Sequence, residues 1–359
     1  MKKLFLVTHK MSGGGCERVI AQLLDCFTRA GIDCTLVSEC GVPSFYELPE
    51  QVRCVYLTRE TSLSPLRIPR AYRRLNRLVR KERPDVVLAM PEKVNVWTVL
   101  FLLGTGVPVV ISERNDPHRH PESRLKRLLR LLVYPFANGF VFQTREAAAY
   151  FSGRIQKRGI VLDNPLDASR IPARFGGARR KTVVAAGRLH AQKNFPMLIR
   201  AFARFYKTHS DYSLVVYGEG PQRDELSRLA SRLGVAGAVE LAGQTKTLPE
   251  RIADCSVFVL SSDYEGMPNA LIEAMACGLC CIATDCPIGG VRSLMTDGEN
   301  GLLVPVGDED ALVAALSAAA DDPAMAERLG RRAEEIKTRL DAESVAAEWR
   351  RYLERVAER

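Results

Sequence analysis

Short runs rich in Val, Ile and Leu alternate with amphipathic stretches along most of this chain. "KLFLVTH" opens it, a Gly-rich turn and the helical "CERVIAQLLDCFTRAG" follow, and "DCTLVSE" comes next. "DVVLAM", "VPVVIS" and "GFVFQT" repeat the theme, with helical patterns between them. Apolar strands separated by helices are the grammar of βαβ units, where helices cover both faces of a parallel sheet. Over residues 160–175 the periodicity loosens into Pro- and Gly-containing sequence, which reads as an interdomain connection. The grammar then restarts with "TVVAAGRL", "NFPMLIRAFARFY", "YSLVVYGEG", "QRDELSRLASRLG" and "VAGAVELAG". "CSVFVLSS", "CCIATD" and "GLLVPVGD" continue it, and from about residue 308 the pattern is helical. The reading is α/β, with two doubly wound domains over residues 1–165 and 166–343. Ligands of such sheets bind beyond the carboxyl ends of the strands, so the post-strand loops carry the search for function.

A chain of 359 residues has room for two such cores. Its net charge of +9 is unevenly placed. Residues 1–165 hold 26 Lys and Arg against 15 Asp and Glu, whereas the remainder holds 25 against 27. A basic half suits an anionic partner such as phospholipid, nucleic acid or a phosphorylated substrate, and simple solubility is the plainer reading. Residues 67–83, "RIPRAYRRLNRLVRKER", contain eight basic residues and one acid, and "RLKRLLRLLVYPF" at 124–136 sets cations among leucines at helical spacing. Basic amphipathic helices suit a membrane surface, cations on headgroups and leucines in the boundary. The alternative is a solvated charge face over an ordinary core stripe. Neither a nucleic-acid recognition motif nor stacking aromatics accompany the charge, so no nucleic-acid partner is expected. "VNVWTVLFLLGTGVPVVIS", residues 94–112, is uncharged, but "GTGVP" divides it into a buried helix, a turn and a strand rather than one membrane span. "LFLV" near the start is too short for a signal peptide. Ten cysteines, with "CGLCC" and Cys286 lacking a nearby His, read as small buried hydrophobes in a reducing cytosol, not as a metal site.

Four loops stand out. "SGGGCER", residues 12–18, lets backbone amides approach an anion at a helix N-terminus, though a plain tight turn fits as well. "GRLHAQKN", residues 187–194, places Arg188 and Lys193 between a strand and a helix, where two cations suit a diphosphate or simply decorate the surface. "YGEGPQRDEL", residues 217–226, shapes a third loop with Gly218 and Gly220. The fourth, "EGMPNALIEA", residues 265–274, has a carboxylate on each side of a helix start. Pro268 suits the first turn, Glu265 then lies in the loop, and Glu273 lies about a turn and a half inside. Amides near Asn269 and Ala270 would face an anion, Glu273 a diol such as ribose, and Glu265 a sugar hydroxyl or developing positive charge.

In this order, "GRLHAQKNFPMLIRAF", "YGEGPQRDEL", "SSDYEGMPNALIEAMACGLCCIATD" and "DGENGLLVPVGD" resemble the retaining GT-B glycosyltransferases of family 4. "SGGGCER" and "LDNPLD" match as well, so the resemblance spans nearly the whole chain. It implies the GT-B fold, two Rossmann-like domains facing a central cleft, with a final helix of about residues 344–359 returning to the first. It implies transfer of a sugar from a nucleotide sugar with retention, needing no cofactor and no metal for the chemistry. Arg188 and Lys193 would bind the donor diphosphate and act electrostatically where a metal otherwise would. Glu273 would bind ribose, and Glu265 with Gly266, Met267, Pro268, Asn269 and Ala270 would hold the sugar and phosphates. Glu219 joins the donor contacts, and Gly14 and Gly15 would close the site from the first domain. Many relatives carry a His after the strand corresponding to "VVIS". Here the loop reads "SERNDPHRH", so Glu113, Arg114, Asn115 and His118 are the acceptor-side candidates and no catalytic His is assigned. "SGGGCER" with "SFYEL" resembles bacterial transferases acting on polyprenyl-diphosphate glycans. The expectation is a UDP-sugar donor carrying N-acetylhexosamine or hexose, a lipid-linked or saccharide acceptor, and a cytoplasmic enzyme peripheral on the inner membrane face. A nucleotide-sugar epimerase of the same architecture is the alternative, followed by a basic nucleic-acid- or membrane-binding protein.

Overall fold

A computed structural model of the chain describes residues 1–358. They divide into two compact units, residues 166–341 and residues 1–165 joined by the chain from Ala342 onward.

The first unit is built on seven strands: β1 (Lys3–Thr8), β2 (Asp33–Ser38), β3 (Arg53–Tyr56), β4 (Val86–Ala89), β5 (Val109–Ser112), β6 (Gly139–Phe142) and β7 (Gly159–Val161). All neighbours are parallel, in the order β3-β2-β1-β4-β5-β6-β7. Successive residues of β1 go to opposite faces, as the pleat requires. Leu4 and Leu6 pack with helix α1 (Gly15–Arg29) and the terminal helix Ala342–Ala357. Phe5 and Val7 pack with α2 (Ile68–Glu82), α3 (Glu92–Leu102) and the end of α4 (Arg124–Val133). Trp349 of the terminal helix is fully buried, and its indole donates to the Asp163 carbonyl at 3.2 Å. The Tyr352 hydroxyl takes the Phe140 amide at 2.7 Å and donates to the Arg158 carbonyl at 2.5 Å. That helix therefore supplies one covering layer of this sheet.

The second unit has six strands: β8 (Arg180–Ala186), β9 (Ser213–Tyr217), β10 (Val239–Gly243), β11 (Cys255–Leu260), β12 (Cys280–Thr284) and β13 (Leu302–Val304). They are parallel in the order β10-β9-β8-β11-β12-β13. Each sheet changes winding direction once, between β1 and β4 in the first unit and between β8 and β11 in the second. In open sheets of this kind, ligand sites lie at such points, beyond the carboxyl edge.

Residues 94–112 form most of α3, a turn and β5, and among the described residues no helix is long and apolar enough to cross a membrane. Two strands differ from the sequence reading. β3 and β7 are edge strands of four and three residues, too short and too exposed to show a buried apolar run. β7 occupies the start of the segment read as a connection, because Phe140 to Phe142 pair with it in register. Cys280, Cys281 and Cys286 are buried, and burial pushes the thiols of Cys280 and Cys286 up to about 12.

Candidate active site

In the second unit the loops after β8, β9 and β11 are bound together at the switch point. Past the strand ends, the Gly187 amide donates to the Tyr217 carbonyl at 2.9 Å, and Leu189 to Glu219 at 3.0 Å. Gly218 makes this approach feasible: its φ is +150°, and a Cβ there would lie 1.9 Å from the Gly187 carbonyl oxygen. Gln192 donates to the Tyr264 carbonyl at 2.8 Å, while its own carbonyl accepts from the Asp263 amide at 2.9 Å. Asn194, left-handed at φ 44°, caps the helix Phe195–Phe205 and donates to Asp263 at 2.8 Å.

These ties bring two of the sequence candidates together. Lys193 Nζ donates to Glu265 Oε1 at 2.5 Å, and Ser262 Oγ donates to the same oxygen at 2.7 Å. Both side chains are largely enclosed, at 15 % and 9 % exposure. Arg188, by contrast, is exposed and has no side-chain partner among the described residues. A fixed cation and a free one therefore stand on the same post-strand loop, and both can meet an anion. Glu219 is half exposed and engaged with Arg223 at 2.8 Å, so it leans toward its own helix.

The helix after β11 is Asn269–Ala276, with Pro268 at its N-cap. Gly266, Met267 and Pro268 are buried, and Asn269 and Ala270 are partly exposed at the helix start. Glu273 lies one turn further in and is only 3 % exposed. A Cβ on Gly290 would fall 1.5 Å from the Gly266 carbonyl oxygen, so only glycine lets residues 287–290 close on this loop.

In the first unit the glycine-rich turn already holds an anion of its own. Glu17 Oε2 accepts from the Gly13 amide at 2.6 Å and the Gly14 amide at 3.1 Å. Burial raises the Glu17 carboxyl above its usual range, opposed by these amide bonds. Gly14 precedes α1 and Gly15 begins it, but the Gly14 amide is spent on Glu17 rather than open to a ligand.

The loop after β5 corrects two expectations. Glu113 is not presented to an acceptor: it is 3 % exposed, accepts from Arg130 at 3.1 Å, and also takes the Tyr134 hydroxyl. Burial raises its carboxyl, with Arg130 opposing. Arg130, from the stretch read as membrane-facing, is instead 1 % exposed and donates to the carbonyls of Pro117 at 2.7 Å and His120 at 2.9 Å. Arg114 is partly buried, donates to Asn164 and lies 5.9 Å over the Trp349 ring. Asn115 accepts from the Asp116 amide at 2.9 Å, and His118 is exposed, edge-on to Tyr150.

The two basic segments separate in character. On α2 the apolar stripe, Ala71, Tyr72, Leu75 and Val79, is core, so Leu75 is not available to a membrane. Arg70, Arg73, Arg74, Arg77 and Lys81 remain exposed. On α4 and just beyond, Leu125, Leu128, Leu132 and Phe136 are exposed by 74 %, 55 %, 63 % and 61 %.

Sequence reading missed Gln192, Asn194, Ser262 and Glu17, the residues that hold the site loops in place. Glu17, an acid three residues after Gly14 at a helix start, and Asn194, a capping residue directly before Phe-Pro, carried local signals.

Residues 13–170 match the family described as Glycosyltransferase Family 4, and residues 172–336 match Glycosyl transferases group 1. The N-acetylgalactosamine-N,N'-diacetylbacillosaminyl-diphospho-undecaprenol 4-alpha-N-acetylgalactosaminyltransferase of Campylobacter jejuni is 27 % identical over 98 % of this chain and 100 % of its own. The lipopolysaccharide core biosynthesis glycosyltransferase LpsE of Rhizobium meliloti is 28 % identical over 92 % of this chain and 93 % of its own. Among solved structures, HepE of Anabaena, in complex with UDP and glucose, has a TM-score of 0.83 at 18 % identity, covering 99 % of this chain and 100 % of that one. Sucrose-phosphate synthase of Thermosynechococcus elongatus has a TM-score of 0.87 at 18 % identity, covering 99 % of each. The structural likeness establishes the GT-B fold, and with the two family matches in succession it follows that this chain belongs to glycosyltransferase family 4 and is a glycosyltransferase.

Proposed function

We propose that this enzyme transfers N-acetylhexosamine or hexose from a UDP-sugar, with retention, to a polyprenyl-diphosphate-linked saccharide at an anionic membrane surface. The observation that carries the donor half is Lys193 held against Glu265 at the switch point of the second unit, with Arg188 exposed on the same loop. In this reading Arg188 and Lys193 take the charge that develops on the leaving diphosphate. Glu265 faces the sugar through its second oxygen, and the start of the helix Asn269–Ala276 meets the phosphates. Glu273 takes the ribose hydroxyls. The first unit takes the acceptor, and Arg114, Asn115 and His118 are its candidate contacts. The UDP choice is supported by HepE, which was solved with UDP, and the acceptor class by the Campylobacter enzyme.

Membrane attachment is supported by α4. Full burial of a leucine or phenylalanine side chain is worth roughly 1.5–3 kcal/mol. Exposed Arg124 and Lys126 lie beside these residues, and each cation near an anionic surface adds about 1 kcal/mol.

The test is a transfer assay with a panel of UDP-sugars and a short-chain polyprenyl diphosphate carrying N-acetylhexosamine. A glycosidic product with the donor's anomeric configuration by NMR supports the reading. Turnover that yields only free sugar or an epimerised sugar overturns it and favours the epimerase.

A further inference from the structure

The first unit holds an imidazole–carboxylate pair outside the four loops singled out in the sequence. His9 and Glu39 follow directly on β1 and β2, adjacent strands, at their carboxyl ends. The Glu39 amide donates to the Thr8 carbonyl at 2.9 Å and the Cys40 amide to the His9 carbonyl at 3.1 Å, which fixes both backbones. Glu39 is 4 % exposed. Its oxygens are divided: Oε2 lies 2.6 Å from His9 Nδ1, and Oε1 accepts from the Tyr72 hydroxyl at 2.5 Å. Tyr72 is fully buried, and burial, with the Glu39 charge adding to it, keeps its hydroxyl protonated and donating. A carboxylate only accepts, so Nδ1 is the donor to Glu39 and the ring is held in one orientation.

The His9 side chain is 28 % exposed, and Nε2 has no hydrogen-bond partner among the described residues. Its position matters because β1 borders β4 at the switch point of this sheet. A second such pair, His120 Nε2 to Glu92 Oε1 at 2.7 Å, lies beyond β4. A buried carboxylate is costly to desolvate, and two donors to one carboxylate at a strand end order the imidazole beyond what strand pairing needs.

We propose that His9 is an acceptor-binding residue. Its Nε2 hydrogen-bonds a hydroxyl of the acceptor saccharide, while Glu39 and Tyr72 are positioning residues that hold the ring. The inference rests on the transferase reading above and names the group that receives the sugar acceptor.

Three variants separate binding from a strand-end clamp. An Asn amide at position 9 reproduces the Nδ1 donor to Glu39, whereas a Gln amide reaches the place of Nε2. The acceptor KM is measured with the short-chain polyprenyl-diphosphate N-acetylhexosamine, alongside Tm and stabilisation by UDP. His9→Ala is expected to raise the acceptor KM at least about tenfold, the loss of one hydrogen bond to a ligand, with UDP stabilisation retained. His9→Asn is expected to restore Tm but not KM, and His9→Gln to recover KM in part. Restoration of both Tm and KM by Asn, or an unchanged KM in His9→Ala, would overturn the proposal. Absence of any transfer by the unaltered chain, with UDP still stabilising it, would instead defeat the acceptor class under the proposed function.

Discussion

Lys193 Nζ donates to Glu265 Oε1 at 2.5 Å, joining the loop after β8 to the loop after β11 at the point where the second sheet reverses its winding. Seventy-two residues separate the two in the chain, yet Gln192 and Asn194, on either side of Lys193, also bind the β11 loop. The pair is thus set by its neighbours as much as by its own attraction. Removing one partner of an enclosed ion pair costs up to about 3 kcal/mol because the other charge is stranded. Lys193→Ala should therefore lower stability and reduce transfer by orders of magnitude. Glu265→Gln keeps the shape and the Ser262 contact, so it should reduce transfer comparably while Tm falls less. Denaturant titration beside initial rates checks both.

Gly218 makes a sharper case. Any Cβ there meets the Gly187 carbonyl, so the β8 and β9 loops must part. Gly218→Ala should weaken stabilisation by UDP at least tenfold in Kd, measured by calorimetry. An unchanged Kd would mean the loop spacing does not govern the donor site.

Much of this was legible in the sequence because it is local. Periodicity defines the central strands, since "DVVLAM" and "CSVFVLSS" are buried on both faces and show no alternation. Pro268 and the apolar run after it mark the helix start to within a residue. What stayed hidden is pairing at long range. Nothing near Glu113 announces that Arg130 will bury against it, so a carboxylate at a strand end looked available when it is already occupied. A basic amphipathic pattern likewise does not say which stripe is core. The stripes of α2 and α4 look alike in sequence, and only packing puts Leu75 inside and leaves Leu125 outside. The edge strands β3 and β7 were lost because so few of their residues are buried.

The Arg130–Glu113 pair gives a prediction about stability rather than catalysis. Arg130→Ala should destabilise the protein by about 3–5 kcal/mol by leaving a buried carboxylate uncompensated. The double variant Arg130→Met with Glu113→Gln should recover much of that loss. Urea denaturation of the single and double variants gives the comparison.

For α4, replacing Leu125, Leu128 and Leu132 together by Ser should leave Tm within about 2 °C, because these side chains contribute little to the core. Sedimentation with vesicles rich in anionic lipid should fall at least tenfold. Raising salt should weaken binding of the unaltered protein through its exposed cations. Equal sedimentation of variant and parent would remove α4 from the membrane reading.

The most direct measurement is thermal stabilisation of the purified protein by UDP, GDP, ADP and their sugar conjugates. A ligand at a hundred times its Kd stabilises the native state by about 2.7 kcal/mol. The account predicts a rise in Tm with UDP or a UDP-sugar, little with GDP or ADP, and loss of the rise in Arg188→Ala. No shift with any nucleotide, or a shift that survives Arg188→Ala undiminished, would contradict it.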